Sequence, residues 1–531
     1  MKTVPELVLG FPDAENYKRR ENRDLFNLVF IRNRHLDRLC EPAISFLVGE
    51  KGTGKTAYAV YMTNNDHKET RGSLRYIRET DYQKFITLKR ERHLQLSDYT
   101  SIWKVIIYLL LSQHVVETEG GPEFLQRFTR MGDVQEAIDE YYNRAFSPEI
   151  LQALELVQES KVAAELFAKH AKVAGEQKEA LKFSESRFQT NLFYIQRQFE
   201  DALRQVRCTR SHILFIDGID IRPASIPYPD YLECIKGLAN AVWEINNDFF
   251  PTIKGGGGRL RAVLLVRPDI FASLGLQNQN TKSRDNSVFL DWRVDYLHHR
   301  GSELFRVIDR LLATQQEEPM ADGDAWDHYF PWDASNVREQ FDRPSSFVAF
   351  LRWSYYRPRD ILTMLAILQD LQRQGIGRED TFTFEAFDSA SFKRQYADYL
   401  LGEIKDQLAF YYRVEEYELL LKFFEVANGK GRFTHNEYLD IYAKFRQLVG
   451  KSDEDLPDFL RSSNVFLQFL YDLNIICYIE TPKDERPYPR WCFRERSYAN
   501  ISPKVKDGVE YQVFYGLYKA LNLGREFTGV D

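Results

Sequence analysis

The chain has 531 residues, 44% of them hydrophobic and 14% aromatic, which is enough apolar surface for two or more packed cores. Its formal net charge is −7 and its pI about 5.9, so no field of the whole molecule draws it onto nucleic acid or an anionic membrane, and such binding must come from local patches. Five scattered cysteines (Cys40, Cys208, Cys234, Cys477, Cys492) form no CxxC and suggest neither a disulfide framework nor a zinc site. A reducing cytoplasm fits that usage. The first 20 residues lack a signal-peptide apolar run, and the longest apolar stretch, residues 105–111, is far short of the roughly 20 needed to span a bilayer. A soluble multidomain protein without a membrane partner is expected.

Residues 1–42 read as a segment leading into a core over 43–300. Ala43-Ile44-Ser45-Phe46-Leu47-Val48 reads as a buried strand, and it runs into GEKGTGKT, residues 49–56, followed by a helix-compatible segment over 56–62. Strand, glycine loop and helix in that order can cradle a nucleotide phosphate. Gly49, Gly52 and Gly54, with Thr53 between them, let backbone N–H groups turn inward at the positive end of the helix. Lys55 then reaches the β- and γ-phosphates of ATP, and the Thr56 hydroxyl takes one position on Mg²⁺. The alternative is a glycine-rich turn with a solvated lysine.

A second strand is expected at 73–77, and an apolar helix around 103–111. Roughly 160 residues separate Lys55 from the next acidic strand, far more than one connection requires, so a helical insertion is expected over about 118–190. The stripe Leu192, Ile195, Phe199, Leu203 and Val206 reads as core. Ile213-Leu214-Phe215-Ile216 is a short buried strand ending in Asp217, with Asp220 three residues on. Asp217 is positioned to act on Mg²⁺, and Asp220 to orient or deprotonate an attacking water. An Asp-Gly turn without chemistry is the other reading of Asp217.

Residues 255–258, four glycines, read as a flexible loop before a further strand, 261–266. Ligands gather at the carboxyl ends of parallel strands, so Arg267, just past that end, is a candidate catalytic sensor of the γ-phosphate, or else a solvated residue. Arg284 can serve as an arginine finger across a subunit contact or be a surface residue. The pair His298-His299 lacks a third ligand at useful spacing and reads as polar surface. Within a helical lid over 301–400, Pro358 and Asp360 fit the first turn of a helix, which would hold Arg359 rigidly.

Residues 401–531 change pattern. Helical segments at 414–427, 434–447 and 457–472 precede two short strands, 475–479 and 490–493, which suggests a winged-helix-like domain. From 481 to 506 there are seven Lys or Arg against three acids, interleaved with Tyr488, Trp491, Phe493 and Tyr498. That is a nucleic-acid cue, and equally the pattern of a wing whose aromatics pack inward.

The glycine loop, the Asp217-Gly218-Ile219-Asp220 turn, the strand-end Arg267 and the stretch Tyr356-Arg357-Pro358-Arg359-Asp360 together resemble the signalling P-loop ATPases related to AAA and NACHT proteins, over about residues 40 to 375. More narrowly, the whole chain resembles the Fun(Z)-type phage-exclusion ATPases of temperate enterobacterial phages. The family often carries Asp-Gly-x-Asp-Glu, where this chain has Ile221 in the last place. It usually carries Gly before the lid Pro, where this chain has Arg357, so either Arg357 or Arg359 can face the phosphate. The resemblance implies an α/β P-loop NTPase core with a mainly parallel sheet and an ATP- and Mg²⁺-dependent switch that hydrolyses slowly. It also implies action in antiphage defence, with a protein or phage component as partner and self-assembly as one arrangement. An initiator-type DNA-binding protein regulated by ATP and a nonhydrolysing scaffold are the alternatives.

Overall fold

Strands buried at every position stand at the centre of the first sheet. The computed structural model describes residues 1–77, 96–119, 196–197, 199–201, 203–204, 206–254, 256–334, 341–450, 456–481, 487–496 and 503–524. It divides into two units, one of residues 32–51 and 55–290, the other of 1–31, 52–54 and 291–531. The four segments expected from the sequence are thus gathered into two, and the N-terminal segment is split between them. The helical insertion expected over 118–190 lies outside the described residues, apart from 118 and 119.

In the unit of 32–51 and 55–290, five parallel strands are β1 (Phe46–Val48), β2 (Thr70–Tyr76), β3 (Ser211–Asp217), β4 (Leu260–Val266) and β5 (Ser287–Phe289). Their order across the sheet is β2-β3-β4-β1-β5. This is an α/β unit with a parallel sheet, as the sequence predicts. β1 and β4 are buried at every position, because a parallel sheet is covered on both faces, and apart from Arg261 their residues are apolar. The helix Lys55–Asn64 follows β1, and the apolar helix extends over Leu96–Glu119. Phe199, Leu203 and Val206 are buried, as their stripe implies; Leu192 and Ile195 lie outside the described residues.

One local reading changes, and one strand residue adds to what the sequence offered. Residues 256–258 are held by close approach: Gly258 N–H donates to the Cys208 carbonyl at 3.1 Å, and a Cβ at Gly258 would overlap the Arg210 carbonyl oxygen. Inside β4, Arg261 is buried. Its guanidinium donates to the Leu39 carbonyl at 3.0 Å and to that of Glu41, and burial pushes its pKa down to about 10.

In the other unit, residues 301–400 are helical where described: Glu303–Ala313, Asp324–Tyr329, Ser346–Trp353, Pro358–Arg373, Phe384–Asp388 and Ala390–Leu408. Residues 1–31 pack on these helices. Gln369 Nε2 donates to the Val4 and Leu7 carbonyls at 2.8 Å each, and Val4, Leu7 and Leu9 are buried. His299 is buried as well, stacked on Phe347, while His298 is exposed, so the polar-surface reading holds for one of the pair only. The ring of Phe305, Phe341 and Phe347 explains the difference.

The C-terminal region adds the helices Leu419–Val426, His435–Val449 and Ser463–Asp472 and a four-stranded antiparallel sheet. Its strands are β6 (Arg432–Thr434), β7 (Ile476–Glu480), β8 (Tyr488–Arg490) and β9 (Glu510–Val513), in the order β6-β9-β7-β8. Thr434 and Glu437 close a capping box on His435–Val449: each side chain accepts the other's backbone N–H. The strand expected over 490–493 ends at Arg490, and Cys492–Glu495 forms a helical turn instead. Among the described residues no helix is long and apolar enough to cross a membrane.

Trp326 is fully buried, stacked on Phe330 at 4.0 Å, and its Nε1 donates to Ser346 Oγ at 2.9 Å. Trp326→Ala is therefore expected to cost about 3–5 kcal/mol in urea unfolding of this unit; a loss under about 1 kcal/mol would contradict the packing.

Candidate functional site

Strand register brings the expected residues of the α/β unit to one edge of its sheet. Leu264 of β4 lies opposite both Phe46 of β1 and Ile216 of β3, and Val266 lies opposite Val48. The loop strand and the acidic strand therefore flank β4, and their carboxyl ends are level. Gly49 N–H donates to the Val266 carbonyl at 3.2 Å, which ties the start of the loop to the strand carrying Arg267.

Thr56, in the first turn of the helix Lys55–Asn64, donates its hydroxyl to Asp217 Oδ2 at 2.6 Å. The other carboxylate oxygen accepts the Gly218 N–H at 2.8 Å, so the Asp-Gly turn orients the acid. Burial pushes the Asp217 pKa up, and the Asp220 charge adds to it; the Thr56 hydrogen bond and Lys55 oppose them. Lys55 is 8% exposed, and its ammonium donates to the Gly49 and Glu50 carbonyls at 2.8 and 3.2 Å. Burial pushes the ammonium pKa down, while Asp220 and Asp217 push it up. Asp220 is half-buried, and its charge acts on both neighbours.

Arg267 is 2% exposed and meets Asp269 through two N–H donors, Nε at 3.0 Å and a terminal nitrogen at 2.5 Å. The solvated-surface reading of Arg267 is thereby excluded. Asp269 lies in the first turn of the helix Pro268–Ser273, two residues beyond the arginine it holds, a partner the sequence motifs do not single out. Arg284 is exposed on the helix Gln279–Asp285, its carbonyl accepting from Arg38 at 3.0 Å.

Gly52, Thr53 and Gly54 group with the other unit. Gly52 and Gly54 have φ of 84° and 94°, the left-handed region that glycine enters without strain. A Cβ at Gly52 would also lie 3.0 Å from Arg359 Cβ. Arg359 N–H faces the Gly52 carbonyl at 3.4 Å, and Trp292 Nε1 donates to the Thr53 carbonyl at 2.8 Å. Trp292 is a loop contact that its apolar surroundings in the sequence did not signal.

The two lid arginines differ. Arg357 caps the helix Pro358–Arg373 and is buried against Asp360, with Nε and a terminal nitrogen 2.7–3.0 Å from its carboxylate. Asp360 is fully buried and also accepts from Tyr399 Oη at 2.9 Å and Tyr355 N–H at 2.9 Å. Arg359 instead lies along the loop tip, its Nε donating to the Pro12 carbonyl at 3.1 Å and a terminal nitrogen 3.5 Å from Glu403.

The basic stretch of the C-terminal region is largely consumed inside its unit. Arg490 pairs with Glu480 at 2.9 Å and Glu495 at 3.0 Å. Arg494 donates to Tyr296 Oη and stacks on Tyr296, Tyr356 and Phe493, and Arg496 donates to the Asp472 carbonyl at 2.9 Å. Lys483, Arg486 and Tyr498 lie outside the described residues.

Comparison with protein-family models, with curated proteins and with solved structures found no match to the chain.

Arg357→Ala is expected to destabilise the protein by about 3–5 kcal/mol, because it leaves a buried carboxylate without its cation. Arg359→Ala, which frees only a half-exposed side chain, should cost under about 1 kcal/mol. Denaturant midpoints for the two variants check the order.

Proposed function

We propose that the chain is a P-loop ATPase that works as a nucleotide-driven switch. The observation that carries this reading is the 2.6 Å hydrogen bond from Thr56, at the start of the loop helix, to Asp217, at the end of the acidic strand. A hydroxyl and a carboxylate oxygen brought together at the carboxyl edge of a parallel sheet are hard donors suited to Mg²⁺. The strand order, with β4 between the loop strand and the acidic strand, supports the same reading.

Within this proposal Gly49, Gly52, Thr53 and Gly54 supply backbone N–H groups to the phosphates of ATP. Lys55 exchanges its two carbonyl acceptors for phosphate oxygens. Thr56 and Asp217 hold Mg²⁺, which would neutralise charge on the phosphates when bound. Asp220 holds or deprotonates water, and Arg267, steadied by Asp269, stabilises the charge that develops on the transferred phosphoryl group. Arg359 braces the loop tip through Gly52. Arg357 is occupied by Asp360, which favours Arg359 as the lid residue.

The resemblance supports a role in antiphage defence or superinfection exclusion, with a protein or phage component as partner. The nonhydrolysing scaffold is favoured by one feature, the closure of Arg267 onto Asp269. The DNA-binding alternative loses support from the internal engagement of Arg490, Arg494 and Arg496, and the wild-type chain is expected to show no salt-dependent binding to duplex DNA at physiological salt. Retention of DNA with a log–log salt slope near −3, roughly 0.9 per phosphate contact, would restore it.

Lys55→Ala should weaken ATP binding roughly 10- to 150-fold, the equivalent of a charge-assisted contact of about 1.5–3 kcal/mol. Calorimetric affinity within twofold of wild type would refute the assignment. Asp220→Asn should bind ATP normally and turn over about 100-fold more slowly or worse; turnover at the wild-type rate removes Asp220 from the chemistry, and its absence in the wild type selects the scaffold.

A further inference from the structure

At the other end of β3, away from Asp217, a second cluster of chemically active side chains is buried. Glu119 ends the helix Leu96–Glu119, Cys208 precedes β3, and His212 is the second residue of that strand. One ligand atom from each lies within 4.8 Å of the others. Cys208 is 5% exposed and His212 fully buried, and the Glu119 side chain is 6% exposed. We propose that Glu119, Cys208 and His212 form a binding site for a divalent transition cation of the zinc class.

The donor set is the first reason. Sulfur, imidazole nitrogen and carboxylate oxygen are the three ligand types that Zn²⁺ combines, at about 2.0–2.3 Å each. His212 Nε2 and Glu119 Oε1 are 2.6 Å apart, and a shared cation would open them to roughly 3.3 Å, the spacing of a tetrahedral pair.

A second, independent observation points to a missing ligand. His114, on the same helix as Glu119, is 5% exposed, its Nε2 has no hydrogen-bond partner, and its ring lies 5.1 Å from the His212 ring, edge to face. A buried polar atom left unpaired is uncommon and calls for an occupant such as an ion. His114 borders the set without belonging to it: among the described residues the grouped ligand atoms are those of Glu119, Cys208 and His212.

The third reason is the outer layer. Glu119 also accepts the backbone N–H groups of Thr209, at 2.8 and 3.1 Å, and of Arg210, at 3.2 Å. Hydrogen bonds of this kind orient a metal-ligating carboxylate. The Gly258 N–H on the Cys208 carbonyl fixes the cysteine backbone in the same way. A bound cation would staple the end of the helix to the start of β3, closing at its base all the chain between 119 and 208.

The test uses the full chain purified without chelator. About one zinc per chain by atomic emission is expected, and the stripped protein should take up one Co²⁺ with a thiolate-to-cobalt charge-transfer band. Cys208→Ser should abolish the band and weaken zinc binding by more than the roughly 100-fold that loss of an outer hydrogen bond can cost, while Cys234→Ser, a buried cysteine elsewhere in the unit, should retain both. Glu119→Gln keeps the side-chain shape and is the second variant, expected to weaken Co²⁺ binding at least 10-fold with an unchanged far-ultraviolet circular dichroism spectrum. A wild-type chain that neither carries zinc nor develops the band overturns the proposal. So does a band that survives Cys208→Ser, or Co²⁺ binding unchanged in Glu119→Gln.

Discussion

Everything at the carboxyl edge of the α/β unit depends on the parallel register that levels β1, β4 and β3. A one-residue slip in either pairing would turn successive side chains to the opposite face, and Thr56 could no longer reach Asp217. β4 is held in that register from both sides, by its pairing with β1 and with β3. The Gly49-to-Val266 hydrogen bond extends the ladder one step beyond the strand and into the loop.

Charge at that edge is balanced with little margin. Lys55 and Arg267 stand against Asp217, Asp220 and Asp269, so the set is short of one positive charge when every group is ionised. Burial raises the Asp217 pKa, with the Asp220 charge adding to it, and burial lowers the Lys55 pKa against the opposing pull of Asp220 and Asp217. A polyanion arriving alone meets a surplus of carboxylate. Arrival with a divalent cation reverses the sign of the surplus. Within the proposed reading, phosphate and cation affinities would be coupled by electrostatics at this edge.

Three of the five parallel strands, β1, β3 and β4, were legible as largely apolar runs with a chemically marked carboxyl end, and β2 was legible in its second half only. β5 was not: it has three residues and opens on Ser287, so neither length nor alternation separates it from the loop around it. Lys55, Thr56 and Asp217 were legible as residue types in order, but the partners that define their state were not. Asp269 holding Arg267 and Asp360 holding Arg357 are carboxylates two and three residues from their arginines, a spacing that also occurs at any solvated helix start. Cys208 and His212 are close in the chain, while Glu119 precedes a long intervening segment; ligand patterns built on short spacings pass over such a set. In the C-terminal region the aromatic spacing carried two readings, and burial of Arg494 among Tyr296, Tyr356 and Phe493 favours inward packing.

The division of residues 1–31 from 32–51 has a consequence for synthesis. Residues 1–31 belong with helices that begin only after position 291, whereas the α/β unit is complete once residue 290 has emerged. At about 5–20 residues per second, Val4, Leu7 and Leu9 wait roughly 20–70 s for the helix Pro358–Arg373 that covers them. Val4, Leu7 and Leu9 are thus made well before their cover, and during translation these three apolar side chains stay exposed until the later helix follows.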